Sequence, residues 1–138
     1  LMTHRLQPAF ASEELLAVVD WPASQCALAR LREPGPEAWE EGHPVAERFE
    51  LYLGPFELAN GYHELADATE QRQRFQRDLA RRRERGDIEP WLDEALLAAL
   101  AAGLPDCAGV ALGVDRLLMA MLGTSRIADV LAFDFATS

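Results

Sequence analysis

Residues 109–116 read Gly-Val-Ala-Leu-Gly-Val-Asp-Arg, a glycine-punctuated apolar run that leads into the apolar segment 117–122. The pattern predicts a short strand that passes directly into a helix, with Arg116 at the junction. Glycines allow a ligand to lie against the backbone, and a guanidinium can bind two phosphate oxygens at a helix N-terminus, where negative charge is favoured. The stretch therefore indicates either a phosphate site or a tightly packed corner with a surface ion pair.

The segments Val45–Leu53 and Phe56–Leu65 predict two strands of an antiparallel hairpin, joined at Gly54-Pro55. The rest of the chain alternates between further strand and helix patterns. These predicted elements are a buried strand at Leu15–Trp21 ending at Pro22, a long polar helix from Ala68 to about Arg85, a largely buried helix at Trp91–Ala102, an apolar helix at Leu117–Leu122 and a closing strand at Ile127–Phe135. We therefore expect an α+β fold, with helices packed against an antiparallel sheet.

Alternation along the predicted hairpin groups its polar side chains. Asn60, Tyr62 and Glu64 fall on one face of the second strand, and Glu50 and Tyr52 can share that face on the first. Glu57 has the opposite parity. If Glu57 joins the others, the chain must bulge near residues 59–61 or bend at the hairpin, and Gly61 is the residue that would permit a bulge.

Composition limits the class of protein. A length of 138 residues with 49% hydrophobic content fits one domain, and no apolar run is long enough to span a membrane. The first twenty residues lack the pattern of a secretory leader, so we expect a cytoplasmic protein. Cys26 and Cys107 are far apart, which indicates two reduced, packed thiols. The net charge of −10 opposes nonspecific binding to a phosphate backbone.

Three local features complete the pattern. Residues 1–12 begin abruptly in a helical pattern without a cap, which leads us to expect a fragment of a longer protein. Residues 33–44 are rich in proline and glycine and predict a mobile loop. The polar helix places Phe75 and Leu79 on its inner stripe, and it carries seven arginines, which fits either a solvated face or a docking face. Those arginines are Arg72, Arg74, Arg77, Arg81, Arg82, Arg83 and Arg85.

Together the motifs resemble the C-terminal part of the catalytic domain of class II lysyl-tRNA synthetases. The segments that carry the resemblance are 48–52 (RFELY), 57–68 (ELANGYHELADA) and 109–116. A closer resemblance rests on Pro22-Ala23-Ser24-Gln25, ELANGYHEL at 57–65, Pro105-Asp106-Cys107 and 109–116. It is to the synthetase-like paralogues that ligate (R)-β-lysine to a lysine of elongation factor P. The resemblance covers nearly all of residues 1–138, as the C-terminal portion of a single catalytic domain.

The resemblance implies an ATP and magnesium site. Arg116 matches the arginine of the family's third signature motif, as a catalytic residue that holds a phosphate of ATP. Glu50 and Glu57 match the glutamates that hold Mg²⁺, which prefers hard oxygen ligands. The residues implied to bind ATP are Glu57, Leu58, Gly113 and Arg116.

The resemblance also implies a pocket for a lysine-like amino acid. Glu64 would pair with the side-chain ammonium, Asn60 would orient a polar group, and Tyr62 would pack against the methylene stem. Ala111 stands where lysyl-tRNA synthetases generally carry glycine, and its methyl would reshape the space beside the amino group, consistent with a β-amino acid. His63 replaces a common serine, and we expect it to be solvent-facing or packed rather than a metal ligand.

The implied activity is that of a longer parent protein. That parent would activate (R)-β-lysine with ATP as an adenylate and transfer it to elongation factor P, as a homodimer and without tRNA as a partner. The family's first and second motifs would precede Leu1, so we expect the isolated piece to be inactive. Two alternatives stay open: a fragment of a lysyl-tRNA synthetase, and a noncatalytic lysine-binding or regulatory relative.

Overall fold

The computed structural model describes residues 5–10, 15–32 and 42–134. The strands are β1 (Leu15–Pro22), β2 (Leu31–Arg32), β3 (Val45–Leu53), β4 (Phe56–His63) and β5 (Ala108–Leu112), and the helices are α1 (Ala68–Arg85), α2 (Glu94–Ala102) and α3 (Val114–Leu122). Short 3₁₀ turns cover Gln7–Ala9, Ala23–Gln25 and Ile127–Asp129. Of the predicted mobile loop at 33–44, residues 33–41 lie outside the described residues.

An antiparallel sheet organises these elements. Its strand order is β1-β3-β4-β5, and β2 pairs with the start of β3. The predicted hairpin is confirmed, with Phe49 opposite Gly61 and Leu53 opposite Phe56. The predicted strand-to-helix corner at 109–116 is also confirmed, because β5 leads through Gly113 directly into α3. The α+β prediction is therefore correct.

The prediction that β1 is buried is wrong. β1 forms the terminal strand of the sheet, and six of its eight residues are exposed. Trp21 is its one buried residue, whereas Leu15 and Val19 are 64% and 58% exposed. An apolar run predicts burial only if another element covers it, and the described residues leave most of β1 exposed.

α1 has the predicted bounds because both ends carry clear capping residues. The Asp67 carboxylate accepts hydrogen bonds from the N–H groups of Thr69 and Glu70, and Gly86 ends the helix in the left-handed conformation. The predicted inner stripe is only half-buried, at Phe75 and Leu79. The most buried side chains of α1 are Gln71 and Arg74.

The two other helices and the C-terminal segment differ from their predictions. α2 begins at Glu94 because Asp93 caps it, and it buries only Leu97, while Trp91 is 98% exposed. α3 begins earlier than predicted, immediately after Gly113. The predicted closing strand is wrong, because Ile127–Asp129 is a 3₁₀ turn and residues 130–134 form no strand. Phe135 lies outside the described residues.

A small apolar core lies on one face of the sheet. Trp21, Ala29 and Ala46 form it, and Val18, Cys26 and Tyr62 pack against them. Cys26 and Cys107 are both free and half-buried. Among the helices in the described ranges, none combines the length and apolar character needed to cross a membrane.

Candidate active site

The predicted site residues share one face of the sheet, which we call the site face. Glu50 on β3 pairs with Asn60 on β4, and Asn60 pairs with Ala111 on β5. In the next row Arg48 pairs with Tyr62, and Tyr62 pairs with Gly109. Directly opposed residues on neighbouring strands project to the same side of a sheet. The expected grouping of Glu50, Asn60 and Tyr62 is thus confirmed, and Arg48 joins it.

A bulge at Leu58 brings Glu57 to the site face. Leu51 pairs with Ala59, but the next residue, Tyr52, pairs with Glu57, so Leu58 has no partner across the ladder. A bulge was predicted, but its position at 59–61 is wrong.

Gly61 has a different role from the one expected. It lies in the regular ladder, where it pairs with both Phe49 and Val110. A Cβ at Gly61 would collide with the Phe49 ring and would lie 2.7 Å from the Gly109 carbonyl oxygen. Close packing of the three strands, and not the bulge, therefore requires this glycine.

Two hydrogen bonds to backbone carbonyl oxygens connect the bulge to the start of α3. The Gly113 N–H donates a hydrogen bond to the Leu58 carbonyl oxygen over 2.8 Å. Arg116 Nη1 donates to the Glu57 carbonyl oxygen, also over 2.8 Å, and lies 4.0 Å from Glu57 Oε2. Arg116 is in the first turn of α3, and its side chain is 53% exposed. The arginine is thus positioned at a helix N-terminus, as the sequence indicated, with donors left over for a ligand.

A cleft of about 470 Å³ opens between the bulge and the N-terminal segments. Its polar lining includes Arg48, Glu50, Glu57 and Arg116. Glu50 is only 5% exposed and accepts hydrogen bonds from Arg48 and from the Tyr52 hydroxyl. Burial, reinforced by the hydrogen bond to Glu50, raises the pKa of Tyr52 well above its ordinary value of 10.0. Tyr52 therefore remains a donor to Glu50, whose carboxylate is buried and does not face solvent.

Arg48 and Trp21 are cleft residues to which the sequence interpretation gave no role. The Arg48 guanidinium lies 4.4 Å from the centroid of the Trp21 ring and 5.7 Å from that of Tyr62. Its Nη1 donates to the Gln25 carbonyl oxygen over 2.9 Å. Both positions can be found from the sequence, since Arg48 lies two residues before Glu50 on the same strand face and Trp21 directly precedes the segment 22–25.

Glu64 lies against β5 because Gly109 has no side chain. A Cβ at Gly109 would collide with Glu64 Oε1, so the carboxylate occupies the space above the β5 backbone. The Glu64 backbone is fixed by its N–H, which donates to the Cys107 carbonyl oxygen over 3.0 Å. Within the part of the chain that the structure describes, the Glu64 carboxylate has no hydrogen-bond or ion-pair partner. It is a half-buried anion available to a cation.

The opposite side of β4 carries an ion-pair network. His63 Nδ1 lies 2.6 Å from Glu47 Oε2, and His63 Nε2 lies 2.7 Å from Asp106 Oδ1. Arg30 also donates to Asp106, over 2.7 Å. The hydrogen bond to Asp106 is the largest cause that raises the pKa of His63. His63 is therefore a bridging residue, and among the described residues no group of three or more histidine, cysteine or acidic side chains is placed to hold a metal.

Comparison with known proteins identifies close relatives. The family model for class II tRNA synthetases (D, K and N) matches residues 4–136. The elongation factor P (R)-β-lysine ligases of Salmonella gallinarum strain 287/91, Salmonella paratyphi B and Salmonella heidelberg are each 50% identical to this chain over 133 residues. Each match covers 96% of this chain and 39% of the relative. The chain thus spans about two fifths of the length of the curated relatives it matches.

Proposed function

The chain belongs to the class II tRNA synthetase family of the D, K and N group, and we propose that it is the C-terminal part of the catalytic domain of an ATP-dependent amino-acid ligase. The proposed donor is (R)-β-lysine and the proposed acceptor is a lysine of elongation factor P, in keeping with the names of the relatives. Residues 1–138 are one portion of that domain, and the parent acts as a homodimer.

The proposed reaction has two displacements. A carboxylate oxygen of the amino acid attacks the α-phosphorus of ATP, which gives an aminoacyl adenylate and releases pyrophosphate. The ε-amine of the acceptor lysine then attacks the acyl carbon, AMP leaves, and the amine loses a proton to solvent. Most of the protein's contribution to such chemistry is positioning and neutralisation of charge.

The observation that carries the proposal is the junction of the β4 bulge with α3. Arg116 is held by the Glu57 carbonyl oxygen, and the Gly113–Leu58 hydrogen bond fixes the distance between the two elements. The remaining guanidinium donors point to a phosphate ligand, which we take to be the γ-phosphate. Leu58 and Gly113 act through their backbone, so their contribution to ATP binding is to position Arg116 and Glu57.

Glu50 and Glu57 fit a magnesium ion that is shared with ATP. Both line the cleft that Arg116 enters, and Mg²⁺ is commonly held by one or two carboxylates together with phosphate oxygens. Arg48 and Tyr52 already donate to Glu50, which makes Glu57 the more accessible ligand. The Asn60 amide restrains Glu57 by donating to its Oε1 over 3.2 Å. When bound, the ion would neutralise charge on the phosphates.

Glu64 is the proposed partner of the substrate's side-chain ammonium. Its carboxylate is the unpaired anion beside the row that contains Tyr62 and Gly109. Asn60 and Ala111 form the neighbouring row, where Asn60 can hydrogen-bond a polar group and the exposed Ala111 methyl would border the bound amino acid. Tyr62 packs against the apolar core formed by Trp21, Ala29 and Ala46. Its ring would contact the methylene groups of the lysine-like substrate.

The test uses the full-length protein that contains this chain. Pyrophosphate exchange is measured with (R)-β-lysine and with α-lysine, and labelled amino acid is then offered to elongation factor P and to tRNA. The proposal expects exchange that favours (R)-β-lysine and transfer to elongation factor P alone. Charging of tRNA would identify a lysyl-tRNA synthetase, and absence of exchange would identify a noncatalytic relative.

Ala111→Gly should shift kcat/KM toward α-lysine by about 1–3 kcal/mol, the value of one methyl in a pocket.

A further inference from the structure

A second and larger groove, of about 710 Å³, lies between residues 23–31 and α1. Four arginines line it, from two different elements of the fold. We call it the arginine groove, and those arginines are Arg48, Arg74, Arg77 and Arg81. One acidic side chain, Asp78, also lines the groove and pairs with Arg82. The groove is thus basic in a chain whose net charge is −10, and the proposed adenylation chemistry uses only Arg48 of the four arginines, as a donor to Glu50.

Two of these arginines lack an acidic partner. Five α1 arginines form ion pairs, namely Arg72 with Glu94, Arg74 with Glu70, Arg82 with Asp78, Arg83 with Glu89 and Arg85 with Asp87. Arg77 donates to the Gln73 carbonyl oxygen, and neither Arg77 nor Arg81 forms an ion pair within the described ranges. They are four residues apart and therefore lie on the same side of α1. Both exposed side chains line the groove.

The inner wall adds buried donors without acceptors. Gln71 is 2% exposed and lines the groove, and its Nε2 has no hydrogen-bond partner among the residues that the structure describes. Arg48 also lines the groove, and its buried Nε likewise has no hydrogen-bond partner among the described residues. Buried polar atoms are normally satisfied, so unpaired donors at a concave surface point to a ligand rich in acceptors. Carboxylates and backbone carbonyl oxygens of an acidic polypeptide are acceptors of this kind.

The arginine groove adjoins the candidate active site. Gln25 and Arg48 line both the groove and the 470 Å³ cleft. A polypeptide that lies in the groove would therefore pass beside the residues that border the cleft. A nucleic acid fits less well, because recognition of a phosphate backbone needs a broad basic surface and most α1 arginines are neutralised.

We propose that the arginine groove docks an acidic segment of the acceptor protein, with Arg77 and Arg81 paired to its carboxylates, and leads that protein toward the cleft. The proposal rests on the proposed function only for the identity of the acceptor. Electrostatic complementarity of this kind governs association rate and partner choice more than the chemical step. The groove should therefore determine the affinity for the acceptor and leave activation of the amino acid unchanged.

The experiment compares full-length parent and Arg77→Glu/Arg81→Glu proteins. Binding of elongation factor P is measured directly by calorimetry without ATP or amino acid, and its KM and kcat are measured in the transfer assay. We expect the double variant to raise Kd and KM about tenfold, with pyrophosphate exchange within about twofold of the parent. Added salt should raise the parent's KM and have less effect on the variant's KM.

Two control variants separate the groove from charge in general. Arg83→Glu/Arg85→Glu changes the net charge equally on the same helix outside the groove, and it should bind like the parent. Arg77→Lys/Arg81→Lys keeps the charge and should retain most of the affinity. An unchanged Kd in Arg77→Glu/Arg81→Glu, an equal loss in the Arg83/Arg85 control, or a selective loss of tRNA binding would each overturn the proposal. Because calorimetry needs no catalysis, failure of pyrophosphate exchange would count against the proposed function alone.

Discussion

The two faces of the sheet are built in different ways. On the site face, the carboxylate of Glu50 is buried and hydrogen-bonded by Arg48 and Tyr52. On the opposite face, Val110 and Leu112 of β5 are 66% and 50% exposed, although their partners Gly61 and Ala59 on β4 are buried. Hydrogen bonds within the chain thus hold the side chains of the site face in place. By contrast, the β5 part of the opposite face is apolar, and the described residues do not cover it. An uncovered apolar surface of this kind contributes little to the stability of the isolated chain, and it favours association with another protein surface.

The largest expected effect is on the site face, at Arg116. In the full-length protein, Arg116→Ala should raise the barrier to adenylate formation by about 2–4 kcal/mol, because it removes a preorganised phosphate contact. Folding should change little, since the side chain is 53% exposed. Pyrophosphate exchange and thermal unfolding measure the two effects. Exchange within about threefold of the parent would reject the assignment of Arg116.

Glu64→Gln tests the unpaired anion on the same face. The amide keeps the shape but loses the ion pair, so lysine-like substrates should bind more weakly by about 1.5–3 kcal/mol while ATP affinity stays the same. Calorimetry with each ligand separates the two. Gly109→Ala is a useful second variant, because its methyl would displace the Glu64 carboxylate without removing charge. Equal losses for both ligands would place Glu64 in the scaffold or near the metal instead.

A pair of truncations compares the two faces directly. Tyr52→Phe removes the hydroxyl that donates to buried Glu50 and should lower the free energy of unfolding by about 1–3 kcal/mol. Val110→Ala removes two methyls from the uncovered face and should cost less than about 0.5 kcal/mol. Denaturant unfolding of the 138-residue chain measures both. If Val110→Ala lowered the free energy of unfolding as much as Tyr52→Phe does, another surface would have to cover this face. Sedimentation would then reveal association of the chain.

The sequence predicted which residues share the site face, because strand alternation is a local property. It also predicted that Glu57 reaches this face only through a bulge near residues 59–61 or a bend at the hairpin. The structure has a bulge, but at Leu58, where the Gly113 N–H and Arg116 donate to the carbonyl oxygens of Leu58 and Glu57. Those partners are more than fifty residues away, so no local pattern could locate them. Burial of β1 and α2 was predicted wrongly for a related reason, since apolar periodicity does not show which elements cover a strand or helix.

The smallest expected effect comes from His63, on the face opposite the site. Its pKa is raised above the ordinary value of 6.5, chiefly by the hydrogen bond to Asp106 and further by Glu47, while desolvation and Arg30 oppose the shift. Protonated His63 is therefore favoured in the folded state. The stabilisation is fully present below the unfolded-state pKa and is lost as the pH rises through the higher folded-state pKa.

His63→Ser in the full-length protein should remove this pH dependence. We expect the parent to lose stability relative to the variant as the pH rises from about 5 to about 9. Parent and variant should show the same rate of pyrophosphate exchange, because His63 lies on the face opposite the site. Unfolding measured across that pH range, together with NMR titration of His63, provides the check. Asp106→Asn is the matched control, because it removes the main cause of the shift but keeps the imidazole. If the parent and His63→Ser show the same pH profile, protonation of His63 is not linked to folding, and the comparison of the two faces then rests on their packing alone.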